Sequence, residues 1–498
     1  MMHGREKSDG RVVPVKLPNN AQGGVAEAVE ERRPAKGNAV SETRSGPSAG
    51  QGALSGLGRV RRVAQRDKEA RFTALLHHVD VDRLRAAYWA LEPEAAPGAD
   101  GVTWADYGVD LEANLRDLHA RVHRGAYRAR PSRRVYIPKP DGRLRPLGIA
   151  ALEDKILQRA LVEVLNSVYE QDFLGFSYGF RPGRSPHQAL DALAAGIVGK
   201  KVNWVLDADL RDYFSSLDHR WLERFLEHRI ADRRVLRLIQ KWLAAGVIEN
   251  GSWTAFDEGV PQGASVSPLL ANVYLHYVFD LWAHQWRRRH ARGEVVIVRF
   301  ADDFVAGFEH RDDAERFWAD LRERLAKFSL ELNAEKTRLI EFGRFAAERR
   351  AARGLGKPET FRFLGFTHVC GKTRKAGRFK LKRMTDSKRM GAKLRALKGE
   401  IERRRHLPIP EQGRWLASVL RGHHQYYAVP ENIEALRAFR RQVVRLWLRA
   451  LRRRSQRTTV TWERMSRLEA RWLPPARILH PWPERRFDAR TQGRSPVR

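Results

Sequence analysis

The chain has 498 residues, a hydrophobic share of 42% and a formal net charge of +34, from 93 Lys and Arg against 59 Asp and Glu. That length allows about three domains with a real core, and such a charge opposes self-packing unless a polyanion is near, which points to nucleic acid. The single cysteine, Cys370, excludes a disulfide framework and a multi-cysteine zinc site and fits a reducing compartment, while no apolar run reaches a membrane span and MMHGREKSDGRVVPVK has no signal-peptide core.

Residues 1–58 are rich in Gly, Pro, Ala and charge without apolar period, and read as a disordered or weakly ordered basic tail. Periodic sequence begins near Arg59. RRVYIPKPDGRLRPLGIAALEDKILQRAL, 133–161, predicts a hairpin presenting Lys139, Arg143 and Arg145, then an amphipathic helix through Ile156, Leu157, Ala160, Leu161, Val164 and Leu165. Such cations can grip a triphosphate, with Arg offering a bidentate fork. NWVLDADLRDYFSSLDH, 203–219, opens as an apolar strand with Asp207 and Asp209 on one face. EGVPQGASVSPLLANVYLHYVFD, 258–280, predicts a Pro/Gly turn and a helix. Gly263, Ala264 and Ser265 there leave room for a base pair, and Gln262 can hydrogen-bond.

In VVIVRFADDFVAGF, 295–308, Asp302 and Asp303 sit between two runs that each predict a buried strand, so they belong on the tight turn of a hairpin. Unpaired charge there would cost several kcal/mol, roughly 3–5 when a buried partner is missing. If the 204–206 strand pairs beside this hairpin, Asp209 can face Asp302. Crowded carboxylates repel unless a divalent cation lies between them, and an oxygen-only set suits Mg²⁺. Two such ions clamp the attacking and leaving oxygens of an in-line phosphoryl displacement.

The order of these segments resembles the reverse transcriptases encoded by bacterial group II introns. IPKPDGRLRPLGI, YGFRPGRSPHQAL (178–190), the strand bearing Asp209, PQGASVSPLLAN, FADD, EKT (335–337) and FLGF (363–366) follow one another over about 130–370, and GADGVTWADY (98–107) resembles the family's lead-in. The resemblance implies an α+β right-hand polymerase, fingers and palm over 59–369, followed by an all-helical thumb/maturase domain over 370–498. Asp209, Asp302 and Asp303 would be catalytic and would hold two Mg²⁺. Phe214 would be the bulky gate under the incoming sugar, Gln262 would lie near the nucleotide, and Lys139 and Arg145 near its phosphates. Phe300 stands where the family usually has Tyr, keeping the ring without the hydroxyl. Asp207 stands where Glu is common, and Asp212 where Gly is frequent.

The segment 371–498 holds 35 Lys and Arg against 10 Asp and Glu, a net +25 of the chain's +34. Leu436, Phe439, Val443, Leu446, Trp447 and Leu451 recur at helical spacing with Arg441 and Arg445 between them, and RGHHQYYAVPEN, 421–432, mixes Arg421 with Tyr426 and Tyr427. Interleaved Arg and aromatic residues suit RNA contacts, although the two Tyr also fit a packed core face. His423 and His424 lack partners at ligand spacing. LPPARILHPWPERRF, 473–487, resembles family members that stop just after it, without the zinc-dependent endonuclease. The implied partners are the group II intron RNA, DNA primer and target, and dNTPs, in a cytoplasmic bacterial ribonucleoprotein without membrane or zinc; the sequence leaves homo-oligomerisation undetermined. The implied function is copying intron RNA into DNA for retrohoming, with a maturase role in splicing. Two rivals remain: an RNA-binding splicing factor with an inactive polymerase site, and a host-serving reverse transcriptase of retron or defence type.

Overall fold

The computed structural model describes residues 56–138, 144–255, 258–373, 376–454 and 460–486. Helices frame three small sheets, an α+β arrangement. The strands in chain order are β1 (Ser132–Pro138), β2 (Leu144–Ile149), β3 (Trp204–Ala208), β4 (Val247–Glu249), β5 (Ser252–Thr254), β6 (Val295–Phe300), β7 (Asp303–Phe308), β8 (Arg338–Glu341), β9 (Phe361–Phe363), β10 (Phe366–Lys372) and β11 (Phe379–Thr385). The sheets run β2-β1-β4-β5, β6-β7-β3-β8 and β11-β10-β9.

The central sheet positions the carboxylates. β6 and β7 form the expected hairpin, with Phe300 opposite Asp303, and β3 lies antiparallel to β7 with Ala208 opposite Phe304. The condition that brings Asp209 toward Asp302 is therefore met. The strands read as continuous apolar runs because both faces are covered. One side packs on the long helix Leu152–Asp172 and its neighbours, the other on helix Pro186–Gly199 and the β9–β11 sheet. All six apolar residues named for the 152–172 helix are buried. Helix Pro186–Gly199 starts where it does because Ser185 and Gln188 form a reciprocal capping box with Pro at the first turn.

Two sequence boundaries shift. The helix Gly56–Arg66 begins inside the segment read as tail, and residues before 56 lie outside the described ones. The expected break at 369/370 cuts through β10, which pairs along its length with β11, so the C-terminal part opens with a β-ribbon and becomes helical only from Ser387. β11 carries Lys380, Lys382 and Arg383 among its seven residues, so it read as part of the basic helical segment.

Beyond it, helices Ser387–Arg403, Ile409–Tyr427, Ile433–Arg452 and Trp462–Trp472 enclose a separate apolar cluster around Trp447. The last described residues return to the central body. Asp191 of helix 186–199 is gripped by Arg383 Nη1 at 2.7 Å and by Arg486 Nε at 3.1 Å. Beside it, His187 and His480 stack with ring centroids 4.0 Å apart.

Candidate active site

The turn between β6 and β7 is tight because Ala301 takes a left-handed conformation, φ +57°, which places Asp302 at the tip. A small residue bears that geometry at low cost. Asp209 lies one residue beyond β3 and is almost fully buried; its Oδ2 accepts from Lys336 Nζ at 3.0 Å, and its carbonyl from Asn333 N at 2.8 Å. Asp207, also buried, faces Arg338 at 3.6 Å.

Burial pushes the Asp302 carboxyl up to about 7, with Asp303 and then Asp209 adding repulsion and Arg145 drawing it back. Asp302 thus feels the charges of Asp303, Asp209 and Arg145. Among the described residues no three His, Cys, Asp or Glu side chains already stand in metal-holding geometry. The chemistry of the set nevertheless fits a divalent ion: the donors are all carboxylate oxygens, and their mutual repulsion is what a cation would relieve. Water and phosphate oxygens would complete such a shell.

Backbone bonds assemble the wall opposite. Gly148 N, three residues after Arg145, donates to Gln262 O at 2.7 Å, and Val260 N donates to Phe214 O at 2.8 Å. Gly263 takes φ +110° beside Gly148, so the Pro/Gly turn seats against β2 where a side chain would clash. The backbones of β2, which carries Arg145, of the Pro/Gly turn with Gln262 and of the Phe214 segment, distant in sequence, are therefore tied together. Asp212 adopts φ +41°, which explains why glycine suits that position. Phe300 is half-buried beside the turn. Lys139 and Arg143 lie outside the described residues.

Tyr426 and Tyr427 are corrected: both are buried, Tyr426 donating its hydroxyl to Leu364 O at 2.8 Å and both packing on Phe366. Aromatic pairs on a helix serve a core as readily as a stacking platform, and here they join helix 409–427 to β10. Arg421, Arg441 and Arg445 are exposed. The face of helix 433–452 that buries Leu436, Phe439, Val443, Trp447 and Leu451 leaves Arg441 and Arg445 outward.

Sequence reasoning missed the clamp behind the turn. Arg299 is fully buried in β6, and all five of its N–H groups are used. Nε and Nη2 reach the two oxygens of Asp280 at 2.7 and 2.6 Å. Nη1 donates to Asn272 Oδ1 at 3.1 Å and to Ala301 O at 2.8 Å, and Nη2 to Ser177 Oγ at 2.7 Å. Asp280 reaches inward from the π-helical turn His276–Asp280, a geometry that recurs at functional sites. The signal was a lone Arg within an apolar strand, which demands a buried partner. Phe180 was also missed. It takes φ +57°, unusual for a bulky residue and worth roughly 1–3 kcal/mol of strain.

Comparison with known proteins bears on the segment that holds this geometry. The sequence family described as Reverse transcriptase (RNA-dependent DNA polymerase) matches residues 137–368. The group II intron-encoded protein LtrA of Lactococcus lactis subsp. cremoris is 33% identical over 222 residues, 44% of this chain and 37% of that protein. Residues 137–368 thus match a reverse transcriptase domain, and over that stretch the chain is similar to a group II intron-encoded protein. Protein YkfC of Escherichia coli is 38% identical over 238 residues, 42% of this chain and 62% of that protein. The putative COX1/OXI3 intron 2 protein of Saccharomyces cerevisiae is 34% identical over 204 residues, 39% of this chain and 23% of that protein. The matches thus span less than two thirds of each relative. The reverse transcriptase match runs from the end of β1 into β10, so it holds the central sheet, Asp209, Asp302, Asp303, Arg145, Phe214 and Gln262. Among the described residues no helix is long and apolar enough to cross a membrane.

Proposed function

We propose that the chain is an RNA-directed DNA polymerase that extends a DNA primer on a group II intron RNA, and that it also binds this RNA as a maturase in a ribonucleoprotein. The observation that supports the polymerase reading is the tight turn carrying Asp302 and Asp303 in a hairpin whose β7 pairs with β3, the strand that ends next to Asp209. In this reading Asp209, Asp302 and Asp303 would hold two Mg²⁺, which when bound would stabilise charge on the attacking and leaving oxygens. Arg145 faces the triphosphate, Gln262 positions the nucleotide, and Phe214 closes the space a ribose 2′-hydroxyl would need. Exposed Arg421, Arg441 and Arg445 neutralise RNA phosphates.

The test is primer extension on an RNA template with dNTPs and Mg²⁺, comparing the natural chain with Asp302→Ala. Extension by the natural chain alone is expected, with RNA binding retained by both. No extension by a folded, RNA-binding natural chain would favour the splicing factor with an inactive polymerase site.

A further inference from the structure

Phe180 is a bulky aromatic held in the left-handed region, and the residue is 44% exposed. Hydrophobic burial does not explain that placement, and its neighbours enforce it from both sides. The preceding stretch lies along the outer side of β6: Arg299 N donates to Phe176 O and Tyr178 N to Arg299 O, each at 2.9 Å. This seats Gly179 against the backbone of Ala301, where any side chain would collide, and the buried Asn272 Nδ2 donates to Gly179 O at 2.7 Å. On the other side Arg181 is buried, its Nε and Nη2 held by Glu170 and its Nη1 by Leu174 O and Ser177 O at 2.8 and 2.7 Å. Between two held residues, the backbone of Phe180 is fixed in its left-handed conformation. Strain over-determined in this way is characteristic of ligand-contacting positions.

The direction in which it is presented gives it a role. Gly179 abuts the turn that carries Asp302, so Phe180 emerges beside the carboxylates. Its ring meets Phe214 edge-on, with centroids 6.4 Å apart and planes at 77°. An aromatic that is wet on one side and braced against another ring on the other offers an apolar surface to a flat or ring-shaped ligand.

We propose that Phe180 is a substrate-contacting, specificity-determining residue that packs against the sugar of the incoming deoxynucleoside triphosphate and braces Phe214 in its blocking position. The proposal rests on the polymerase reading given above. The sugar is covalently joined to the phosphate that the carboxylates address, so a ring standing between the Asp302 turn and Phe214 lies where that sugar must pass.

The experiment is single-nucleotide incorporation on an RNA template with dTTP and with UTP, for the natural chain, Phe180→Ala, Phe180→Gly and Phe180→Tyr, together with thermal melting. Phe180→Ala and Phe180→Gly should raise KM for dTTP about tenfold with a smaller change in kcat, as expected when a ground-state contact is lost. They should lower the dTTP-to-UTP ratio of kcat/KM by a similar factor, while the Tm of Phe180→Gly stays within about 2 °C because relief of the left-handed backbone offsets the lost partial burial of the ring. Phe180→Tyr should retain both parameters. Unchanged KM and unchanged sugar discrimination in an active, folded Phe180→Gly would overturn the proposal and leave the polymerase reading intact. A natural chain that incorporates neither nucleotide would overturn both.

Discussion

Replacing Arg299 by Met removes a cation whose five donors all have partners, and it leaves Asp280 buried with no counter-charge. Breaking one side of a buried ion pair costs about 3–5 kcal/mol, because the remaining charge keeps its desolvation penalty without its Coulomb partner. The carbonyl of Ala301 and the side chains of Asn272 and Ser177 lose donors as well. In a body of this size the loss should lower Tm by roughly 3–7 °C. The double variant Arg299→Met/Asp280→Leu replaces the pair with apolar groups of comparable volume and should recover the part of that loss that comes from the unpaired Asp280. Polymerisation should not recover with it, because the double variant still lacks the Nη1 bond to Ala301 O that steadies the turn under Asp302. The assay is a double-mutant cycle in Tm, run in parallel with primer extension. A single variant melting within 2 °C of the natural chain, or a double variant that regains full extension, would refute the view that the clamp positions the turn.

Two further outcomes are expected. Without divalent ions, the raised Asp302 carboxyl makes the fold bind its proton above the ordinary carboxylate range, so stability falls as pH rises from about 4 to about 7. Asp302→Asn should therefore raise Tm at pH 8 but not at pH 4.5, by an amount equivalent to about 2–4 kcal/mol after allowance for the wet edge of the cleft, and Mg²⁺ should narrow the gap; melting curves across pH with chelator or Mg²⁺ check this. Arg441→Ala/Arg445→Ala should weaken intron RNA binding and reduce the log–log salt slope by about 1–2, with Tm unchanged, as measured by filter binding at several salt concentrations.

The parts of this protein that were legible in its sequence are those where one local signal decides. The FADD hairpin, the helix through Ile156 and Leu165, and the apolar seam of helix 433–452 each carry their own periodicity, and each forms where that periodicity puts it. What stayed hidden depends on partners far along the chain. Tyr426 looks like a stacking residue until β10 packs on it, and β11 reads as solvated charge until its register with β10 is known. Arg299 signals a buried partner, but nothing local shows that the partner is Asp280 on a π turn. Phe180 carries no signal in sequence, because its conformation is imposed by Gly179 against Ala301 and by Arg181 against Glu170.

The strand order β6-β7-β3-β8 has a consequence for synthesis. β3 leaves the ribosome first, yet the strands that flank it are both made later: roughly 95 residues separate Ala208 from Asp303, and β8 follows later still. At about 5–20 residues per second, β3 waits some 5–20 s with both edges open and two acidic side chains unpartnered. An apolar strand exposed for that interval is a target for chaperones and for neighbouring nascent chains. Translation speed between codons 208 and 341 therefore becomes a variable in the yield of active protein, and pausing within that window should raise aggregation more than pausing elsewhere.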